Sequence, residues 1–247
     1  MKKLVFVCWL MGIFFAACSP NNVKSDAAIG QLFDRAQMNG SFALLENGTD
    51  QFTIHNLSRY RDSAFAPLAS FYALPALIAL DKGIIHHKDS SAEVVDGDVF
   101  YDSLISKLGR VEILRTIDSL HYGKGLVSAD MHHFWKDQSL KITADEQLGF
   151  MKKLYFRELF FQKKSQEKYK SMITRERNAA YQLSYIIGAD TAQAPYPTWI
   201  VGYVEENLHP YFFVLNTEAK SGAKLKEKNS LLLKNILLQQ GFLKGTR

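Results

Sequence analysis

The chain has little cysteine: two residues among 247, and one of them, Cys8, lies inside an apolar leader. If the leader is removed, only Cys18 remains, so we expect no intramolecular disulfide, no cysteine-based metal cluster and no thiol enzyme. Histidine is also sparse, and its adjacent pairs at positions 86–87 and 132–133 lack the spacing that places two imidazoles on one helix face. The sequence therefore predicts no metal site, and none of its motifs calls for a cofactor.

The one long apolar run is short for a bilayer span. Two lysines precede about fourteen apolar residues, which end in Phe15-Ala16-Ala17-Cys18. This order is typical of a secretory signal peptide, and its end resembles a bacterial lipobox. We therefore expect cleavage after residue 17, lipidation of Cys18 and a membrane anchor in the cell envelope, with the outer membrane favoured and the domain on its periplasmic or surface side. An ordinary signal peptide cut nearby and an uncleaved anchor are the alternatives.

Charge of one sign is not in large excess. The formal net charge is +5, and loss of Lys2 and Lys3 with the leader lowers it by two. Much of the basic character lies in residues 220–234, which form either a solvated face or a contact with anionic lipid or cell-wall polymer. No segment resembles a nucleic-acid-binding module, so no nucleic-acid partner is expected.

The remaining length suits one domain of mixed α/β (α+β) class. We assign residues 1–17 to the signal peptide, 18–33 to a tether and 34–247 to the domain. Asn47-Gly48 between two β-rich runs predicts a hairpin. Periodicity and composition predict helices over 65–80, 98–108, 111–120, 143–161 and 228–240, and strands over 178–188, 198–205 and 210–216.

The stretch Phe65–Ile85, FAPLASFYALPALIALDKGII, predicts a buried helix. It closely resembles the nucleophile helix of class D (oxacillinase-type) serine β-lactamases and the related penicillin-sensor domains, which runs roughly F-S-P-A-S-T-F-K-I-P-N-S-L-I-A-L-E-T-G. That register places Ala69 at the family's catalytic serine and Tyr72 at its catalytic lysine. A serine and a lysine three residues apart can share a proton. Alanine has no hydroxyl, and a phenol that titrates near ~10 is a poor base at neutral pH.

The resemblance continues along nearly the whole mature domain. Tyr122-Gly123-Lys124 stands at the family's Y-G-N, and residues 134–143 follow F-W-L-E-G-Q-L-R-I-S. Residues 199–205 and 211–216 follow W-W-V-G-W-V-E and Y-F-F-A-F-N. This resemblance implies the serine β-lactamase/transpeptidase-like fold, which has an antiparallel sheet flanked by helices and an all-helical lobe.

The resemblance also locates the polar positions of the family's active cleft. The S-x-V triplet falls at Asp96-Gly97-Asp98, and the K-T-G strand at Ile186-Ile187-Gly188. Lys228 lies near the family's substrate-binding arginine, and Trp135 stands where a tryptophan shelters the modified lysine. The degenerate catalytic positions are thus Ala69, Tyr72, Asp96 and Ile186, and the predicted binding cleft contains Tyr122, Gly123, Lys124, Trp135, Ile187, Gly188 and Lys228.

Loss of the polar members favours a non-catalytic binding or scaffolding domain at the cell envelope, whose ligand is peptidoglycan stem peptide or an envelope protein. The apolar replacements Tyr72, Ile186 and Ile187 predict a filled or hydrophobic cleft. Such a cleft favours a protein or lipidic partner over a carboxylate-bearing β-lactam. The alternative is an active β-lactamase or transpeptidase-like hydrolase that uses a non-standard serine such as Ser70.

Overall fold

A computed structural model of the protein describes residues 22–85, 97–192 and 194–246. The predicted signal peptide, Cys18 and Asp96 lie outside these residues. Within them, no helix combines the length and the apolar character that crossing a bilayer requires.

The described ranges contain nine strands, eight α-helices and one 3₁₀ helix. The strands are β1 (Val23–Lys24), β2 (Met38–Glu46), β3 (Gln51–His55), β4 (Ala64–Phe65), β5 (Ile142–Thr143), β6 (Thr174–Arg177), β7 (Gln182–Ala189), β8 (Tyr196–Glu206) and β9 (His209–Ala219). The helices are α1 (Ala27–Ala36), α2 (Leu57–Asp62), the 3₁₀ helix (Leu68–Tyr72), α3 (Ala73–Asp81), α4 (Asp98–Leu108), α5 (Arg110–Leu120), α6 (Ala144–Phe156), α7 (Lys163–Met172) and α8 (Leu225–Gln239).

Seven strands form one sheet in the order β1-β3-β2-β9-β8-β7-β6. All neighbours are antiparallel except β1 and β3. The predicted mixed α/β architecture is therefore confirmed. The hairpin is confirmed too, because β2 pairs with β3 from Phe42 opposite His55 to Glu46 opposite Gln51. β4 and β5 form a separate small ladder.

The sheet separates two hydrophobic cores. On one face, the 3₁₀ helix, α3 and the helical lobe pack with inward side chains such as Trp199 and Phe212. On the other face, α1 and α8 pack with side chains such as Ile200 and Phe213. The central strands are thus buried on both faces, which explains their nearly continuous apolar sequences.

The predicted tether was wrong for residues 23–33, because these residues belong to the fold. Val23 and Lys24 pair with β3, and α1 begins after Asp26, whose side chain accepts a hydrogen bond from the Ala28 N–H at 2.9 Å. Ile29 and Phe33 are buried in the core beneath α8. The sequence analysis missed the ten-residue amphipathic helix α1, because the polar residues before it suggested a linker.

Two helix predictions needed correction. In the segment predicted as one helix over 65–80, Phe65 belongs to β4, a 3₁₀ helix begins at Leu68, and the α-helix begins only at Ala73. The helix predicted over 143–161 ends at Phe156, where Arg157 takes the left-handed conformation. The residues that follow lead into α7, which the sequence analysis missed because its polar composition masks the buried Tyr169 and Met172.

Candidate functional site

The turn that carries Ala69 is held from two sides. The Leu68 N–H donates to the Trp135 carbonyl at 2.9 Å, and the Trp199 indole donates to the Ala66 carbonyl at 2.8 Å. Leu68 has a φ of 53°, a left-handed conformation that costs a non-glycine residue roughly 1–2 kcal/mol. These contacts hold the turn so that the next residue, Ala69, lines a surface cleft.

Strand β7 passes directly against this turn. A Cβ atom added to Gly188 would lie 2.6 Å from the Ala69 nitrogen and 3.0 Å from its Cα and Cβ atoms. Only glycine leaves room for the turn here, so the backbone at Ala69 and that at Gly188 meet. The structure thus brings together the positions where the family resemblance places a nucleophile and the glycine of K-T-G.

The cleft beside Ala69 has a volume of about 420 Å³, within the range of ligand-binding pockets. Asp98 and Lys136 form its wall on the helical-lobe side. Lys224, Lys226 and Glu227, at the start of α8, form the opposite wall. The mouth of the cleft is therefore charged, whereas the sequence predicted a hydrophobic or filled cleft.

The floor beside the cleft is filled by Tyr72. Its ring is fully buried, stacks on Tyr101 with centroids 4.0 Å apart and meets Trp135 edge-on at 5.9 Å. Its hydroxyl donates to Asp98 Oδ1 at 2.8 Å, and Lys136 Nζ donates to Asp98 Oδ2 at 2.9 Å. Burial and the neighbouring Asp98 carboxylate raise the pKa of the Tyr72 phenol, so it stays protonated.

Asp98 is a residue that the alignment did not single out. The S-x-V register selected Asp96, which lies outside the described residues, whereas the structure joins Asp98 to Tyr72. Partial burial would raise the pKa of the Asp98 carboxyl, but hydrogen bonds from Lys136 and Tyr72 outweigh it and hold the pKa below its usual range. The register had placed Asp98 only at the apolar third position of the triplet, and an acidic residue in the first turn of a helix usually stabilises the helix itself.

Ile186 and Ile187 lie on opposite faces of β7. Ile186 packs in the core that contains Tyr72, whereas Ile187 packs in the core beneath α8. Trp135 is fully buried and stacks on Phe71 at 5.5 Å. The prediction that Ile187 and Trp135 line the cleft is therefore wrong, because both side chains are enclosed by core residues.

Tyr122, Gly123 and Lys124 are not among the residues that line this cleft. Tyr122 is buried against Phe71 and Phe150, with ring centroids 6.2 and 5.4 Å away. The backbone of Lys124 exchanges two hydrogen bonds with that of Lys141, and a Cβ on Gly123 would lie 2.5 Å from the Lys141 carbonyl oxygen. Tyr122 shares one core with Ala69 and Ile186 but borders a different groove, so these three residues do not converge on one cleft.

Lys228 lies outside the cleft as well. It borders a groove between α1 and α8, together with Arg35 and Leu231. Because α8 begins at Leu225, three residues before the predicted start, Lys224 and Lys226 occupy the end that faces the cleft. The sequence analysis named Lys228 alone, and the structure instead places Lys224 and Lys226 in the lining of the cleft.

Ser70, the fallback nucleophile, points into the protein. It is 1% exposed, and its hydroxyl donates to the Pro67 carbonyl at 2.5 Å. The same oxygen accepts a hydrogen bond from Gln147 Nε2, also at 2.5 Å. No group of three or more metal-ligating side chains is found in the described part of the chain.

Comparison with known proteins places these features in context. The chain is 24% identical to the β-lactamase OXA-5 of Pseudomonas aeruginosa over 96% of its own length and 97% of that protein. It is 27% identical to the regulatory protein BlaR1 of Bacillus licheniformis over 77% of its length, and it spans only 35% of BlaR1. No protein-family model matches the chain.

The fold has solved counterparts. The C-terminal domain of the Bacillus licheniformis BlaR penicillin-receptor superposes with a TM-score of 0.81 at 24% identity. That match covers 89% of this chain and 96% of the receptor domain. The predicted β-lactamase-like fold is therefore confirmed.

Proposed function

We propose that this homologue of the class D β-lactamases and BlaR penicillin-binding domains is a non-catalytic binding module, held at the cell envelope by a lipid anchor. The observation that carries the proposal is the methyl group of Ala69, which faces the cleft where the resemblance places the nucleophile. Its ligand or partner binds without forming an acyl-enzyme.

The contacts around Ala69 give the physical reason. Acyl transfer needs a nucleophile, a base in contact with it and donors for the oxyanion. The base position holds the Tyr72 phenol, which donates a hydrogen bond to the Asp98 carboxylate and whose pKa is raised, so it keeps its proton and cannot act as a base. Backbone N–H groups that could hold the oxyanion do not replace the missing nucleophile and the missing base.

The burial of Ser70 argues against the alternative hydrolase. An attacking serine must expose its oxygen to the substrate carbonyl and have a base within hydrogen-bond reach. The Ser70 hydroxyl instead bonds the Pro67 carbonyl and the Gln147 amide, neither of which takes up a proton at neutral pH.

Incubation of the purified full-length chain with a fluorescent penicillin is expected to give no covalent label, and a chromogenic cephalosporin is expected to stay intact. Loss of the nucleophile in serine hydrolases lowers the rate by about 10⁶-fold. The double variant Ala69→Ser/Tyr72→Lys is expected to gain slow labelling, because a serine would line the cleft and a lysine three residues on would restore the serine–lysine spacing of the family.

The matched control is Ser70→Ala, which is expected to leave the absence of label unchanged. Labelling of the unmodified chain that disappears in Ser70→Ala would overturn the proposal and establish the hydrolase. Thermal unfolding of each variant verifies that a negative result comes from a folded protein.

The lipid anchor rests on Phe15-Ala16-Ala17-Cys18 and has its own test. In bacterial cells supplied with radioactive palmitate, we expect the chain to take up label and to fractionate with membranes. Cys18→Ser is expected to abolish the label, because the thiol is the point at which the lipid is attached. Equal labelling of the Cys18→Ser variant would refute the lipoprotein assignment, whereas Cys8→Ser is the control that leaves label uptake unchanged.

A further inference from the structure

The charges at the mouth of the cleft do not cancel. Asp98 accepts hydrogen bonds from both Tyr72 and Lys136, so its charge is matched by that of Lys136. Lys224 and Lys226 face them from the other wall, and in the described part of the chain neither ammonium group belongs to a salt bridge. Glu227, which is exposed at the rim, is the one further carboxylate of the lining. Among the described residues of the lining, three lysines stand against two carboxylates, which leaves an excess of one positive charge.

The backbone adds to this positive potential. α8 is fifteen residues long, and its cap residue Lys224 makes no side-chain hydrogen bond to the first turn. The residues of that turn line the cleft, so the positive end of the helix lies at its wall. Two lysines and the helix end thus act together on one side of a cavity of about 420 Å³.

The type of donor indicates which anion fits. Planar carboxylates are held best by the two-pronged guanidinium of arginine, and no arginine lines this cleft among the described residues. Lysine acts as a point charge, and together with helix N–H groups it suits the tetrahedral oxygens of a phosphoryl group. The small residues Ala69, Ala189 and Gly222 leave room for a substituent on that group.

We propose that this cleft binds an organic phosphate, with its phosphoryl group held by Lys224 and Lys226 and its substituent directed toward Ala69. This inference rests on the proposed function, because it names the ligand class of the same cleft. It differs from the expectation of a protein or lipidic partner in that the recognised group is the charged phosphoryl group.

The test is calorimetric titration of the full-length chain in detergent and phosphate-free buffer. Glycerol 3-phosphate is expected to bind saturably and more tightly than acetate at the same ionic strength. In Lys224→Gln/Lys226→Gln the affinity is expected to fall about tenfold or more, because two charge-assisted contacts are lost. Lys228→Gln is the matched control, since this lysine borders another groove, and its affinity is expected to stay unchanged.

Glu227→Gln provides a second readout with the opposite sign: removing the rim carboxylate is expected to tighten binding by a few-fold, about the effect of one exposed charge. Titration with the diester glycerophosphoglycerol distinguishes the possible sources of the phosphoryl group. Tighter binding of the diester supports a lipid headgroup or cell-wall polymer, and tighter binding of the monoester supports a soluble phosphate.

Absence of saturable binding, equal affinity for acetate, or equal loss in the Lys228→Gln control would overturn this inference. None of these outcomes bears on the acylation experiment. Conversely, covalent labelling of the chain by penicillin with intact phosphate binding would overturn the non-catalytic role alone.

Discussion

Tyr72→Ala is expected to lower the free energy of unfolding by about 3–5 kcal/mol, the usual cost of truncating a large buried aromatic residue. The ring is fully buried between Tyr101 and Trp135, so its removal leaves a cavity that those rigid rings do not close. The variant also loses the hydroxyl that donates to Asp98. Urea denaturation followed by circular dichroism measures the change.

Tyr72→Phe is the matched control for this prediction. It keeps the ring and removes only the hydrogen bond to a charged acceptor, so we expect a loss of about 1.5–3 kcal/mol at most. Equal destabilisation by the two variants would show that the ring contributes nothing beyond its hydroxyl. A clear gap between them would show that a position which the family resemblance assigns to a catalytic lysine is now occupied by a core aromatic residue.

Gly188→Ala is expected to destabilise the protein by about 3 kcal/mol, at the upper end of the cost of overpacking. The added methyl would lie 2.6 Å from the Ala69 nitrogen, and a backbone atom cannot move aside as a flexible side chain can. Either β7 or the 3₁₀ helix must shift, and both are held by neighbouring strands and by the Leu68 contact with Trp135. The same denaturation measurement applies.

Gly149→Ala is the control, because the same substitution is made where an added Cβ meets nothing within 4 Å. Gly149 lies inside α6, so alanine there is expected to stabilise the protein by about 0.5–1 kcal/mol. If Gly188→Ala proved as harmless as Gly149→Ala, the close approach between β7 and the Ala69 turn would be wrong.

The Tyr72→Ala and Gly188→Ala predictions both concern the packing around the turn that carries Ala69. Tyr72 fills the floor and Gly188 sets the distance between the strand and the turn. The architecture around the cleft is thus maintained by packing, which acts on the fold whether or not a reaction takes place. Packing of this kind requires neither a nucleophile nor a base, so it stabilises the fold with alanine at position 69 and tyrosine at position 72.

Local signals predicted much of the fold. Asn47-Gly48 indicated the hairpin because these two residues suit a tight turn. Residues 98–108 form a helix with the predicted bounds. Strands β7, β8 and β9 were recognised from their β-branched and aromatic residues. Each of these features depends on neighbours within a few positions of the chain.

The site was predicted less well, because its members come from distant segments. The side of β7 on which Ile187 lies depends on which residue of the strand meets the 3₁₀ turn, and a shift of one residue reverses the face. The choice between Lys226 and Lys228 depends on where α8 begins, which its packing on the sheet determines. Asp98 is recognised only when its partners Tyr72 and Lys136 are brought beside it.

By itself, the sequence determined the class of fold, the order of its main elements and the absence of a serine and a lysine at positions 69 and 72. Those conclusions follow from residue identity and short-range periodicity, which need no distant contact. Only the tertiary structure decided that Ser70 is turned inward, that Asp98 joins Tyr72 to Lys136, and that Lys224 and Lys226 at the start of α8 line the same cleft as Ala69. These facts concern which side chains meet across a sheet and a helical lobe, and such meetings are set by packing of the whole domain.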